Sequence, residues 1–189
     1  MTQRVLEGVV LITGVMAAGK STVAQALAER LPRAAHVRGD VFRRMIVSGR
    51  EEYVPGAGGE GDAAGAAREG EAQLRLRYRL AAATADAYAE AGFTAVVQDV
   101  VLGAELPAYV DLIRTRPLHV IVLAPTQATV TAREAGRAKT GYGAWTVEEL
   151  DRGLRTETPR IGLWLDNSGL TVGETVDAII EGRERSRVV

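Results

Sequence analysis

Gly14-Val15-Met16-Ala17-Ala18-Gly19-Lys20-Ser21 follows the apolar run Val9-Val10-Leu11-Ile12-Thr13 and precedes a helical stretch from Thr22 to Leu31 that stops at Pro32. Strand, loop and helix therefore occur in the order that the spacing G-x-x-x-x-G-K-[ST] requires of a loop that wraps an anion. Glycine lets the backbone curl so that successive N–H groups point inward. The helix that follows presents its positive end to the same anion. Lys20 can reach the outer phosphates of a nucleoside triphosphate, and the Ser21 hydroxyl can ligate Mg²⁺. Residues Gly14 through Ser21, with Thr22 behind them, are thus the expected phosphate cradle.

Lysine usage sharpens that expectation. Of 23 basic residues only Lys20 and Lys139 are lysines; the rest are arginine. A lysine kept where arginine is the habit points to a need for a compact ammonium. The formal net charge of −1 gives no basic excess for nucleic acid and no acidic tail. There is no cysteine, hence no disulfide and no zinc–thiolate site, which fits a reducing cytoplasm. Arg4 followed by Val9 to Ala18 superficially resembles a signal peptide, but a buried strand and phosphate loop account for the same residues. That run is also too short to span a bilayer. The expectation is one cytoplasmic domain over residues 1–189, monomeric or homodimeric, with no membrane partner.

Strand and helix signals alternate along the chain. Ala34 to Arg38 reads as a second strand ending at Gly39-Asp40, and Val41 to Ser48 as a helix with Asp40 placed to cap it. Gly49 to Gly70 reads as a long polar loop, either a lid or a disordered segment. Glu71 to Glu90 is a helix with the apolar stripe Leu74, Tyr78, Ala81, Ala85 and Tyr88, ended by Gly92. Phe93 to Asp99 is a third strand, Leu106 to Thr115 a helix, and Leu118 to Leu123 a strand apolar enough to be central and parallel. Thr126 caps a helix to Arg137, and a second loop spans Ala138 to Trp145. Capping boxes open helices at Thr146 and Thr171, with a fifth strand, Ile161 to Leu165, between them. The charged tail to Val189 is expected to fray. Five strands alternating with helices imply an α/β fold: a parallel five-stranded sheet in a three-layer αβα sandwich, with ligands at the carboxyl ends of the strands. The phosphate loop, Asp40 and Asp99 all follow or end strands, so topology brings them to one edge.

Several residues have both a chemical and a structural reading. Asp40 is placed to cap a helix or to face an acceptor. Arg43 and Arg44, one turn on, either anchor an anionic group of a substrate or are simply solvated. Asp99 could hold Mg²⁺ through water, bind the acceptor, or act as a structural cap. Gln98 is a polar pocket residue or points into a neighbouring layer. Arg133 and Arg137 share a helix face, as residues four apart do. His36 and His119, inside strands and without a carboxylate pattern, read as packed structural residues, and Trp164 as core.

The combination of Gly14–Ser21, Gly39-Asp40 after the second strand, Asp99 ending the third, and Arg133 with Arg137 resembles the phosphate-loop small-molecule kinases. The chloramphenicol phosphotransferase-like proteins are the branch it is most similar to; gluconate, adenylylsulfate and nucleoside-monophosphate kinases are more distant. The resemblance implies a nucleotide-kinase-like core, ATP and Mg²⁺ as cosubstrates, and transfer of the γ-phosphoryl group to a hydroxyl of a small molecule such as an antibiotic or metabolite. It implies that Asp40 takes the acceptor proton and that Lys20 and Arg137 neutralise phosphate charge. Arg133 would pack on adenine, Arg43, Arg44 and Asp99 would meet the acceptor, and Ser21 and Asp99 would serve the metal. Two alternatives carry less. A non-catalytic nucleotide switch lacks its N-K-x-D motif, because Ala124-Pro125-Thr126-Gln127 follows the fourth strand. A polynucleotide or nucleoside kinase would use an arginine stripe at Arg75, Arg77 and Arg79, against the near-neutral charge.

Overall fold

The computed structural model describes residues 6–54, 62–136 and 146–188. Its sheet has the order β2-β3-β1-β4-β5, all parallel, with β6 antiparallel to β4. The strands are β1 (Val9–Gly14), β2 (Ala34–Arg38), β3 (Thr94–Gln98), β4 (Leu118–Leu123), β5 (Leu163–Leu165) and β6 (Arg187–Val188). The helices are α1 (Lys20–Arg30), α2 (Gly39–Arg44), α3 (Asp62–Glu90), α4 (Glu105–Leu112), α5 (Gln127–Ala135), α6 (Val147–Arg152), α7 (Val172–Glu181) and α8 (Arg183–Ser186). A π-helical turn, Gly153–Glu157, extends α6.

Every residue of β1, β3 and β4 is buried, as continuous apolar runs in a sheet covered on both faces must be. Helices α1 and α7 pack together on one side, and α3 and α4 on the other, giving the three-layer αβα sandwich. The centre of the core is Leu11, Ile12, Ile121 and Leu123 from the sheet with Leu27, Leu106 and Ile179 from its helices, all fully buried. Of the α3 stripe, Tyr78, Ala81 and Ala85 are buried, whereas Tyr88 is 43% exposed and instead meets Phe93 edge-on at 5.9 Å.

Four boundaries differ from expectation. Helix α3 begins at Asp62, not Glu71, so the segment read as one loop from Gly49 to Gly70 is helical in its second part. Alanines at 63, 64, 66 and 67 supply the helix propensity that the interspersed glycines masked. Helix α2 starts at Gly39, which places Asp40 in its first turn; Arg38 occupies the cap position and Asp40 makes no capping bond. Helix α4 ends at Leu112. The tail does not fray: α8 and β6 close it, and β6 pairs Leu118 with Val188 and His119 with Arg187. Ser186 anchors it, fully buried, with its Oγ 2.9 Å from His119 Nδ1. The capping residues Thr126, Thr146 and Thr171 all accept from the backbone N–H three residues on, as read.

Candidate active site

The chain leaves β1 toward β2 on one side and crosses from β3 to β4 on the other, so a crevice opens between the carboxyl ends of β1 and β3. A cleft of about 1040 Å³ occupies this place. The phosphate loop lines one half of it. Asp40, Arg43, Arg77 and Asp99 line the other, joined by residues 51–54 and by parts of α3, α4 and α6.

The loop's curl is built from its own backbone. Ala18 N donates to Val15 O (3.2 Å), Val23 N to Gly19 O (3.0 Å), and Lys20 Nζ to Val15 O (2.7 Å). Ala17 holds a left-handed φ of 61°, a conformation that costs a non-glycine residue about 1–3 kcal/mol and that marks functional loops. The Ala18 carbonyl accepts two side-chain bonds, from Arg133 Nη1 (3.3 Å) and Asn167 Nδ2 (3.1 Å), while Arg133 Nη2 donates to Asn167 O (3.0 Å). Helix α5 and the loop after β5 are thereby clamped onto the phosphate loop. Thr13, the last residue before the loop's first glycine, exchanges two bonds with Val101: its Oγ1 donates to the carbonyl (2.8 Å) and accepts from the N–H (2.9 Å). That pair fixes the segment after β3 beside the segment after β1.

At the end of β3, Gln98 Oε1 accepts from Ser21 Oγ (3.3 Å), so Gln98 is a cleft residue. Asp99 has no exposed side-chain surface and is held by both ends of a fork: Arg77 Nε donates to Oδ2 (3.0 Å) and Arg77 Nη2 to Oδ1. Val100 N adds a bond to Oδ1 (2.7 Å). Taking away one partner of such a buried pair costs about 3–5 kcal/mol, because the other charge is stranded. Gly39 is part of the same device. A Cβ there would lie 1.8 Å from Asp99 Oδ2, so only glycine lets α2 start against this carboxylate. Tyr78 Oη donates to Val100 O (2.9 Å), and burial pushes its phenol up, so it stays a donor.

Asp40 and its neighbours fall out unequally. Asp40 Oδ2 accepts from Arg44 Nη2 (2.7 Å), and Oδ1 has no hydrogen-bond partner among the described residues. Arg44 itself is 58% exposed and is not among the residues that line the cleft; it pairs with Asp40, four residues before it on α2. Arg43 lines the cleft and pairs with Glu52. Of the expected stripe Arg75, Arg77 and Arg79, Arg77 is 16% exposed and turned into the cleft, whereas Arg75, paired with Glu71 (2.6 Å), and Arg79 are exposed. Arg137 and Lys139, and with them the loop expected over 138–145, lie outside the described residues, as do residues 55–61 of the first loop. Residues 49–54 of that loop lie along α3, where Gln73 accepts from Glu51 N (3.0 Å) and donates to Gly49 O (2.7 Å). Among the described residues no group of three histidine or acidic side chains is arranged to hold a metal ion.

Sequence reasoning did not single out Arg77 as a cleft residue, nor Glu52 or Gln73. The histidines are structural as read. His36 is half-buried with Nδ1 2.8 Å from Gln25 Oε1, and His119 is buried against Ser186; burial lowers both imidazoles. Trp164 is half-buried rather than core, with the Arg160 guanidinium 3.9 Å from its ring centroid.

Comparison with known proteins fits this architecture. A profile of the AAA domain family matches residues 9–159, and the chain belongs to that family. No curated protein sequence matches it significantly. Among solved structures it is similar to a sugar kinase from Janibacter sp. HTCC2649, with 17% identity, 96% of each chain covered and a TM-score of 0.66. It is similar to the tunicamycin resistance protein of Deinococcus radiodurans, with 17% identity, 97% of this chain and 99% of that one covered, and a TM-score of 0.64. It is also similar to the APS kinase CysC of Mycobacterium tuberculosis in complex with AMPPNP and APS, with 18% identity, 95% and 99% coverage, and a TM-score of 0.63. At these identities the likeness is one of fold: a P-loop domain of the kinase type. No helix among the described residues is long and apolar enough to cross a membrane.

Proposed function

We propose that the protein is an ATP-dependent phosphotransferase that moves the γ-phosphoryl group of ATP to a hydroxyl of a small molecule, in the manner of the chloramphenicol phosphotransferase-like branch. One observation carries this: Asp40, with a carboxylate oxygen that has no hydrogen-bond partner among the described residues, lines the same cleft as Lys20 and Ser21. A phosphate cradle and a carboxylate across one cleft are the two ends of an in-line transfer. The fold of the neighbouring sugar kinase and APS kinase structures supports it as an analogy.

In this scheme the loop N–H groups and Lys20 bind the β- and γ-phosphates. Asp40 orients the acceptor hydroxyl and receives its proton as the new O–P bond forms and the bond from γ-phosphorus to the bridging oxygen breaks, releasing ADP. Arg133 holds the Ala18 carbonyl and so fixes the loop, and Arg137 is proposed to neutralise moving phosphate charge. Mg²⁺ fits the donor set, an oxygen-only one in which Ser21 Oγ would join phosphate oxygens and water; bound there it would neutralise developing charge. Asp99, whose two oxygens Arg77 engages, would serve such an ion through water at most.

The test is an ATP-consumption screen of the purified protein over hydroxylated metabolites, nucleosides and antibiotics. Stoichiometric ADP and phosphorylated acceptor are expected for a subset. ADP formation that no acceptor stimulates would sink the proposal.

A further inference from the structure

We infer that the phosphoryl acceptor is an uncharged hydroxylated compound, not a carboxylate, sulfate or phosphate ester. This rests on taking the half of the cleft opposite the phosphate loop as the acceptor site. An anionic acceptor needs a cation that the protein has not already neutralised. Among the described residues the cations on that side are Arg43, Arg77 and Arg152. Arg77 spends both ends of its fork on Asp99, and turning toward a ligand would strand a carboxylate with no exposed surface. Arg43 is paired with Glu52. Arg152, an exposed residue of α6, makes no ion pair among the described residues and is the one cation there left for an anion. Against that one cation the same space is faced by Glu51, Glu105, Glu149 and Glu157, while Asp40 is paired with Arg44. Carboxylates outnumber arginines, so an anion would shed its hydration into a field of its own sign.

What the pocket offers is suited to an uncharged polyol with an apolar part. Carboxylates accept hydrogen bonds from hydroxyl groups. Tyr53 and Val54 are exposed by 37% and 38% respectively and, with Leu74 and Leu102, give an apolar wall for the carbon skeleton. Charge selection would then be set by two ion pairs, Arg77–Asp99 and Arg43–Glu52, each made with a partner distant in sequence.

The experiment has two arms. In the first, the full chain is saturated with Mg²⁺ and AMPPNP, so that the phosphate loop is filled, and titrated with sodium sulfate by calorimetry. The wild type is expected to show no sulfate binding in the millimolar range, because the carboxylates facing the site outnumber its one unpaired arginine. Asp99→Asn releases Arg77 and is expected to bind sulfate at least tenfold more tightly than wild type. Should that variant fail to fold, Glu52→Gln releases Arg43 from a more exposed pair and is expected to do the same. Millimolar sulfate binding by the wild type, or no gain in a folded variant, overturns the inference. In the second arm, ATP turnover is compared for matched pairs that differ in one charge, a sugar against its uronate and a nucleoside against its 5′-phosphate. At least tenfold preference for the uncharged member is expected. Equal or better turnover of the anion overturns the charge inference and leaves the phosphotransferase standing. Turnover of neither, across the full hydroxyl panel, removes the phosphotransferase and leaves the sulfate titration to decide the charge of the pocket.

Discussion

The two halves of the cleft are made of different material. The phosphate side is backbone: a curled loop whose shape comes from bonds within Val15 to Val23 and whose specificity is for a group that every nucleoside triphosphate carries. The opposite side is side chains in pairs. Arg77 meets Asp99 across 22 residues of sequence, Gln73 meets Gly49 across 24, and Glu52 reaches Arg43 from another segment. A backbone site can be written as a short motif, because only glycine spacing and one lysine must be kept. A paired site depends on where the fold sets each partner, so it can differ between proteins that share the loop.

The largest effect is expected on the phosphate side. Lys20→Ala removes the charged hydrogen bond to Val15 O, worth about 1.5–3 kcal/mol, and circular dichroism is expected to show the fold retained. ATP turnover should fall by at least about 100-fold, the scale of losing one charged donor to the transferring group. Unchanged turnover would take the loop out of the chemistry altogether.

Asp40→Asn crosses to the other side. It keeps the shape of the side chain and weakens the pairing with Arg44, which at 58% exposure for the arginine is worth less than about 1 kcal/mol. Transfer to the acceptor should drop by about 10²–10⁴, the range for a proton acceptor, while ATP affinity stays within about twofold. A matching loss of ATP affinity would reassign Asp40 to the nucleotide or its metal, and the division of the cleft would move with it.

That division also marks what the sequence could reveal. Strand, loop and helix around Gly14–Ser21 follow local rules, and so do the caps at Thr126, Thr146 and Thr171. The parallel sheet follows from the run of alternating elements. The start of α3 was hidden because glycines at 65 and 70 read as loop, yet Gly70 is there for a close approach: its added Cβ would lie 2.5 Å from Glu52 O. Arg77 looked like one member of a surface stripe because helix periodicity cannot tell which arginine meets a buried acid from another strand. Asn167, buried with its Nδ2 on Ala18 O, carries no local signal. In each case the missing information was a partner far along the chain.

Arg133→Ala probes the seam between the halves. The guanidinium ties Ala18 O to Asn167 O, and charged hydrogen bonds of this kind are worth about 1.5–3 kcal/mol before relaxation. Asn167 Nδ2 still holds Ala18 O in the variant, so the loop should loosen rather than collapse. KM for ATP should rise about tenfold, with a smaller change in KM for the acceptor. A rise confined to the acceptor would show that Arg133 belongs to the other side.

The smallest effect separates the acceptor floor from everything else. Gly70→Ala gains helix propensity of about 1 kcal/mol. Against that, the new methyl must push away Glu52 O, a backbone atom that cannot swing aside, at a cost of about 1–3 kcal/mol if nothing moves. Residues 49–54 are exposed and tied to α3 mainly through Gln73, whereas α3 is anchored in the core by Tyr78, Ala81 and Ala85. The segment should therefore yield and the helix stay, leaving stability within about 1 kcal/mol of wild type. The displaced segment carries Glu52 and Tyr53 into a new position, so KM for the acceptor should rise about threefold to tenfold while KM for ATP is unchanged. Gly65→Ala is the control, because its added Cβ meets nothing within 4 Å. It should bring the same propensity gain and no change in either constant. If the two alanine variants behave alike, the packing of residues 49–54 on α3 does not shape the acceptor site.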